Sequence, residues 1–297
     1  MDRLKTLLTV HKKTVFLIGI LILLGVLGWW GFQKFISKDS GPAEEIDLAF
    51  DPEGPYAQLI PRRDGNALIL NLKRTSAYDE INYELSYTSL PDTTTVSGKK
   101  ITDEEGSTEG SIDRGVAGTI DTKDKKGEYE QEILFGSCSK NVCKYDQGVE
   151  NGTLSLKIKK KNKSYKMITQ WHLQKVDVVL GSLNSLDGHF SYKIADERQD
   201  LTIVGFSIIN DLTGVPKLPS GKEVLGKVYS LNVPLAKSIP TGQMSVELSE
   251  NPSSDAKVYR YDGSSNKWEE LQTNIEDSKL SSTANGAGIF AVLTNKK

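Results

Sequence analysis

The sequence predicts an all-β ectodomain of two antiparallel β-sandwich domains behind one N-terminal transmembrane helix. Three observations carry that expectation. A single uninterrupted apolar run sits near the start of the chain. Beyond about residue 62, apolar and polar side chains alternate with period two. No segment outside the apolar run shows the 3.6-residue period of an amphipathic helix. The chain has 297 residues, 37% hydrophobic and 26% charged, so it has material for two cores and lacks the composition of a disordered tail.

The first expected element is a membrane anchor over residues 14–36, behind a cytoplasmic tail at 1–13. Its apolar stretch opens on Val15, closes on Phe32 and holds no charged or strongly polar side chain. As a helix it would rise about 27 Å, close to the hydrocarbon thickness of a bilayer. Trp29 and Trp30 fall near its C-terminal end, where indole rings favour the headgroup level. Arg3, Lys5, Lys12 and Lys13 precede the run, and Asp39, Glu44, Glu45 and Asp47 follow it soon after Lys34 and Lys38. The positive-inside bias then leaves the N-terminus in the cytoplasm and the C-terminal bulk outside a cell membrane, with the lipid bilayer as first partner. No Ala-x-Ala-like cleavage site and no lipoprotein cysteine follows the run. Beyond residue 38 acidic side chains outnumber basic ones, which gives no support to nucleic-acid binding.

Residues 37–61 are expected to be a linker, being acidic and carrying Pro42, Pro52, Pro55 and Pro61. Residues 62–175 form the first expected sandwich domain. Leu68, Leu70 and Leu72, then Ile81, Tyr83, Leu85 and Tyr87, then Leu154, Leu156 and Ile158 each mark one buried face of a strand. A strand at 165–173 returns after a Lys-Asn-Lys turn, which suggests a hairpin. Residues 89–113 are rich in Ser, Thr, Gly and acids and predict a long, exposed, disordered loop. Residues 176–297 form the second expected sandwich. Its strands are expected at 176–180, 189–194, 201–209, 224–233, 244–248, 257–261, 267–271, 279–283 and 289–293. Pro216, Pro219, Pro234, Pro240 and Pro252 fall between or at the ends of these. One continuous large sandwich is the alternative.

The chemistry-bearing residues are few. Cys138 and Cys143 are the only cysteines. They enclose four residues, and a hairpin loop of that length brings its flanks to the roughly 5.5 Å Cα spacing of a disulfide. His172 and His189 follow the apolar run without the two further ligands a zinc site needs, so no metal is expected. Asp121, Asp124 and Glu128 surround a Lys-Lys-Gly turn and read as a solvated hairpin turn. Gly-x-Ser-x-Gly, His-Glu-x-x-His and phosphate-cradling glycine loops do not occur. Neither a cofactor nor catalysis is therefore expected. Trp171, Trp268, Tyr259 and Tyr261 are the ligand-binding candidates, as an aromatic platform for stacking sugars; core packing is the competing and favoured reading.

Val258-Tyr259-Arg260-Tyr261-Asp262-Gly263, continuing through Trp268 and Leu271 to Gly288-Ile289-Phe290-Ala291-Val292-Leu293, resembles the last strands of β-sandwich modules on bacterial and archaeal surface proteins. In those modules a Tyr-rich strand turns at Asp-Gly, a Trp strand returns and a Gly-aromatic-Ala strand closes the domain. Phe135-Gly136-Ser137-Cys138, with Cys143-Lys144-Tyr145-Asp146 and Val149-Glu150-Asn151-Gly152, is similar to membrane-anchored proteins of small-genome bacteria. The resemblances imply a sandwich fold and a place in the envelope, and assign no functional residue. The expected function is a structural or recognition role in the cell envelope, meeting an envelope glycan or protein. A carbohydrate- or peptide-binding module is the alternative, and a hydrolase with paired loop carboxylates is more remote.

Overall fold

The computed structural model describes residues 20–27, 29–30, 45–47, 50–91, 111–124, 126–140, 142–161, 163–174, 181–194, 204–208, 214–235 and 238–296. Glu45–Lys297 is one compact unit. Its described residues form four sheets. The largest runs across β17 (Lys267–Glu270), β16 (Lys257–Asp262), β20 (Gly288–Asn295), β14 (Lys222–Asn232), β13 (Val204–Ile208), β10 (Lys163–Gln174), β9 (Asn151–Lys160), β4 (Glu80–Ser89) and β5 (Ile112–Ile120), with β1 (Glu45–Asp47) laid parallel along β10. A five-stranded sheet runs across β11 (Ser182–Asn184), β12 (Phe190–Ile194), β15 (Thr241–Glu247), β19 (Lys279–Asn285) and β18 (Thr273–Glu276). A three-stranded sheet holds β2 (Tyr56–Pro61), β3 (Ala67–Lys73) and β6 (Tyr129–Leu134), and β7 (Gly136–Ser139) pairs with β8 (Val142–Tyr145) as a separate hairpin.

The alternation in the sequence becomes three cores. In the first, Leu68, Leu70 and Leu72 of β3 pack with Ile81 and Leu85 of β4, Leu156 of β9 and Trp171 of β10. In the second, Phe190 and Tyr192 of β12 meet Tyr229 of β14 and Phe290 and Val292 of β20. The third lies among the residues of opposite parity on β20: Ile289, Ala291 and Leu293 pack with Tyr259, Tyr56 and Val215. β20 is thus buried at both parities. That explains why Ile289 to Leu293 is a continuous apolar run and not an alternating one.

Three sequence-based expectations are corrected here. First, two closed sandwich domains do not form. β10 pairs with β9 along one flank and with β13 at Trp171↔Ser207 and Gln174↔Val204 along the other, so one sheet continues past residue 175. The smaller sheets are separate from it and do not close it into sandwiches. Alternation tells a strand which face to bury and leaves open which strand it pairs with.

Second, no helix among the described residues is long and apolar enough to cross a membrane. Helix is described at 20–27 and at 29–30. Trp29 and Trp30 are helical and exposed; Val15 and Phe32 lie outside the described residues. The expected anchor is withdrawn, and with it the bilayer partner, the single-pass topology and the envelope role drawn from them.

Third, the expected linker contains β2. It pairs with β3 from Tyr56↔Lys73 to Pro61↔Leu68 and buries Tyr56, Ala57 and Leu59. Its prolines hid it: Pro52 and Pro55 precede the strand, and Pro61 stands at its end, where a missing N–H is tolerated. The expected loop 89–113 loses both ends to strand pairing, Ser89↔Ile112 and Thr88↔Asp113; residues 92–110 lie outside the described residues, as does the strand expected at 176–180.

Candidate functional site

The sequence alone does not mark β5 as a strand. Gly115, Ala117 and Gly118 have low strand propensity, and the only local signal is Ile112, Val116 and Ile120 on one parity. The partner supplies the rest. β5 pairs with β4 over its whole length, from Ile81↔Ile120 to Ser89↔Ile112. The Tyr83 ring lies over Gly118, where a Cβ would stand 2.4 Å from the tyrosine oxygen. An aromatic ring over a strand glycine supplies packing that the glycine lacks. Arg114 Nε donates to Ser89 Oγ at 3.2 Å and its guanidinium meets Asp146 at 3.5 Å, which ties the start of β5 to its neighbours.

Among the described residues β5 pairs only with β4, along one flank. Other edges are short or guarded. β17 and β18 have four residues and β11 has three. β2 ends on Pro61, and β6 carries Glu130 and Glu132. β5 has nine residues; its charges, Asp113 and Arg114, lie in its first three positions, and Gly115–Ile120 carries no charge and no Pro.

Beside this edge the outer face of the sheet is slightly hollow. A concavity of about 400 Å³ is lined by Asn82 and Glu84 of β4, Ala117, Gly118 and Thr119 of β5, and Ser155 and Lys157 of β9. Small side chains make its floor and polar ones its rim. Thr119 Oγ1 donates to Asn82 Oδ1 at 2.6 Å, and Asn82 Nδ2 donates to Glu80 Oε1 at 2.7 Å. Lys159 Nζ reaches the same carboxylate at 2.9 Å. The Asn82 hydrogen bond, and then that from Lys159, hold the Glu80 carboxyl below its usual range. The rim carries the Asn82 amide, the Thr119 and Ser155 hydroxyls, the Glu84 carboxylate and the Lys157 ammonium, groups suited to hydrogen-bonding a ligand laid flat on the sheet. Among the described residues no group of three or more His, Cys, Asp or Glu is placed to hold a metal.

The residues singled out from sequence are dispersed. Cys138 and Cys143 are joined in a disulfide and face each other across the β7–β8 hairpin, as the spacing implied. Trp171 is 2% exposed in the first core and stacks on Phe135 at 5.5 Å. Tyr259 is buried in the third core, and burial, then its bond to Glu270, pushes its hydroxyl up to about 12. Tyr261 and Trp268 do meet, with centroids 5.3 Å apart. Both are half-buried and anchored, Tyr261 donating to Asn266 Oδ1 at 3.0 Å and Trp268 Nε1 to the Lys217 carbonyl at 3.0 Å. The four aromatics thus do not make one platform. His172 is half-buried, with its pKa pushed down by burial, and His189 is exposed on another strand connection. The site defined by the fold is instead a sheet edge and its adjoining face, features of a binding surface. No protein-family model matches the chain, and no curated protein matches it.

Proposed function

We propose that the chain is a non-catalytic recognition module that binds an extended peptide by adding it as a strand to β5. The observation that supports this is the nine-residue β5, which among the described residues pairs on one flank only, next to a polar concavity. A strand laid along β5 would satisfy that strand's outward main-chain groups and send alternate side chains to opposite faces. On the outer face they would lie beside Ala117 and Thr119 and reach the hollow rimmed by Asn82, Glu84 and Lys157. On the inner face they would lie beside Ile112 and Val116, the latter packed against the first core. The matching peptide alternates polar and apolar residues. Burial of Trp171 and Tyr259 favours this reading over sugar stacking.

The test is a titration of labelled nine-residue peptides, alternating and scrambled, against the full chain and a Val116→Lys variant. A charge on the inner side of an edge opposes strand addition, while an edge position leaves the rest of the sheet paired. Alternating peptides should bind, and the variant should bind at least about tenfold more weakly, a change of roughly 1.4 kcal/mol. Equal binding by the variant, or no preference for alternation, would refute the proposal.

A further inference from the structure

We infer that the β9–β10 hairpin is a docking site for an acidic polysaccharide. Residues 157–166 read Lys-Ile-Lys-Lys-Lys-Asn-Lys-Ser-Tyr-Lys, six lysines in ten positions of a chain whose formal net charge is −2. The register sets Lys157 opposite Lys166 and Lys160 opposite Lys163. Like charges directly opposite each other destabilise a sheet, so this arrangement works against the fold that carries it. A ligand that neutralises the hairpin removes that repulsion.

Acidic groups stand beside some of these lysines. Glu80 engages Lys159 at 2.9 Å. Asp79 Oδ2 accepts the main-chain N–H of Lys161 at 2.8 Å. β1 brings Asp47 to the register position beside Lys166. Lys157, Lys160, Lys161 and Lys163 remain exposed. Lys157 shares its strand face with Lys159, while Lys160 takes the opposite parity, so the lysines present on both sides of the hairpin, each opposed pair about 5 Å apart across the strands.

Two observations favour a polysaccharide over a nucleic acid. Bases bind single-strand sites by stacking on exposed aromatic rings. Here Lys160 Nζ sits 5.8 Å over the Tyr78 ring, and Tyr165 is half-buried. Lys157 also lines the outer concavity with Asn82, Glu84, Thr119 and Ser155, groups that exchange hydrogen bonds with sugar hydroxyls. The site uses the hairpin and its adjoining face and does not depend on strand addition at β5.

The experiment titrates the full chain with a sulfated heparin-type oligosaccharide, an uncharged dextran oligosaccharide of equal length and a single-stranded RNA of equal charge. If four lysines engage the anions at the roughly 0.7 counterions released per contact, affinity should fall about 50-fold between about 50 and about 200 mM salt. Lys161→Ser with Lys163→Ser should weaken sulfated-glycan binding at least about tenfold and roughly halve the salt slope. That double variant should melt no earlier than the parent, because Lys160 loses the like charge facing it. Lys123→Ser with Lys126→Ser, on the 121–128 turn, should leave binding unchanged. The inference is overturned if the hairpin variant binds as tightly as the parent. It is equally overturned if RNA binds more tightly than the glycan, or if no saturable glycan binding occurs at the lower salt.

Discussion

Trp171→Ala should destabilise Glu45–Lys297 as a whole, and not only the half of it that surrounds the lesion. Trp171 is 2% exposed and stacks on Phe135 with an interplanar angle of 21°. It also covers Gly152, where a Cβ would come within 2.6 Å of the indole ring. Removing a fully buried Trp costs about 3–5 kcal/mol, of which the stacked pair supplies about 1. With a urea slope of about 3 kcal/mol/M, a loss near 4 kcal/mol lowers the midpoint by about 1.3 M. The corresponding melting shift is about 10 °C for a unit of this size. The lesion propagates because β10, which carries Trp171, pairs through Trp171–Gln174 with β13, and β13 pairs with β14 of the C-terminal cores. Hydrogen exchange read by mass spectrometry across a urea series follows β3 and β20 separately. Both should lose protection at the same, lowered urea concentration. If β20 keeps its parental midpoint while β3 shifts, the sheet does not couple the two halves and the reasoning fails.

The disulfide should matter much less. Cys138 and Cys143 close a loop of about six residues, which limits the entropic contribution to about 2 kcal/mol, and they sit on a hairpin outside the large sheets. The Cys138→Ser, Cys143→Ser double variant should remain folded by circular dichroism, with added exchange confined to 136–145; global unfolding would contradict this placement. Asp187 should make stability pH-dependent. Burial pushes its pKa up, but hydrogen bonds from Ser185, the His189 amide, Lys227 and Tyr229 outweigh burial and hold the carboxyl below its usual range. Its contribution is therefore present above the unfolded value near pH 4 and is lost as pH falls through the lower folded value. Denaturation midpoints measured from about pH 6 down to about pH 2.5 should fall less steeply for Asp187→Asn, and identical slopes would exclude this role.

Strands whose two faces differ could be read from the chain directly. Leu68, Leu70 and Leu72 of β3, the Ile81–Tyr87 parity of β4, and Leu154, Leu156 and Ile158 of β9 each record a buried face in local order. The close spacing of Cys138 and Cys143 likewise stated their bridge. The membrane expectation rested on hydropathy alone, and no helix among the described residues is long and apolar enough to cross a membrane. β5 was beyond local reading because its glycines and alanine take their extended form from β4 and the Tyr83 ring. Which strands end up at an edge is a property of the whole pairing order, so the candidate site at β5 could not be seen in sequence. The lysine run was visible at 157–166, but only the register sets Lys157 against Lys166 and Lys160 against Lys163. Period and spacing are local and survive in one dimension; pairing and register join residues distant in the chain, and only tertiary contacts fix them.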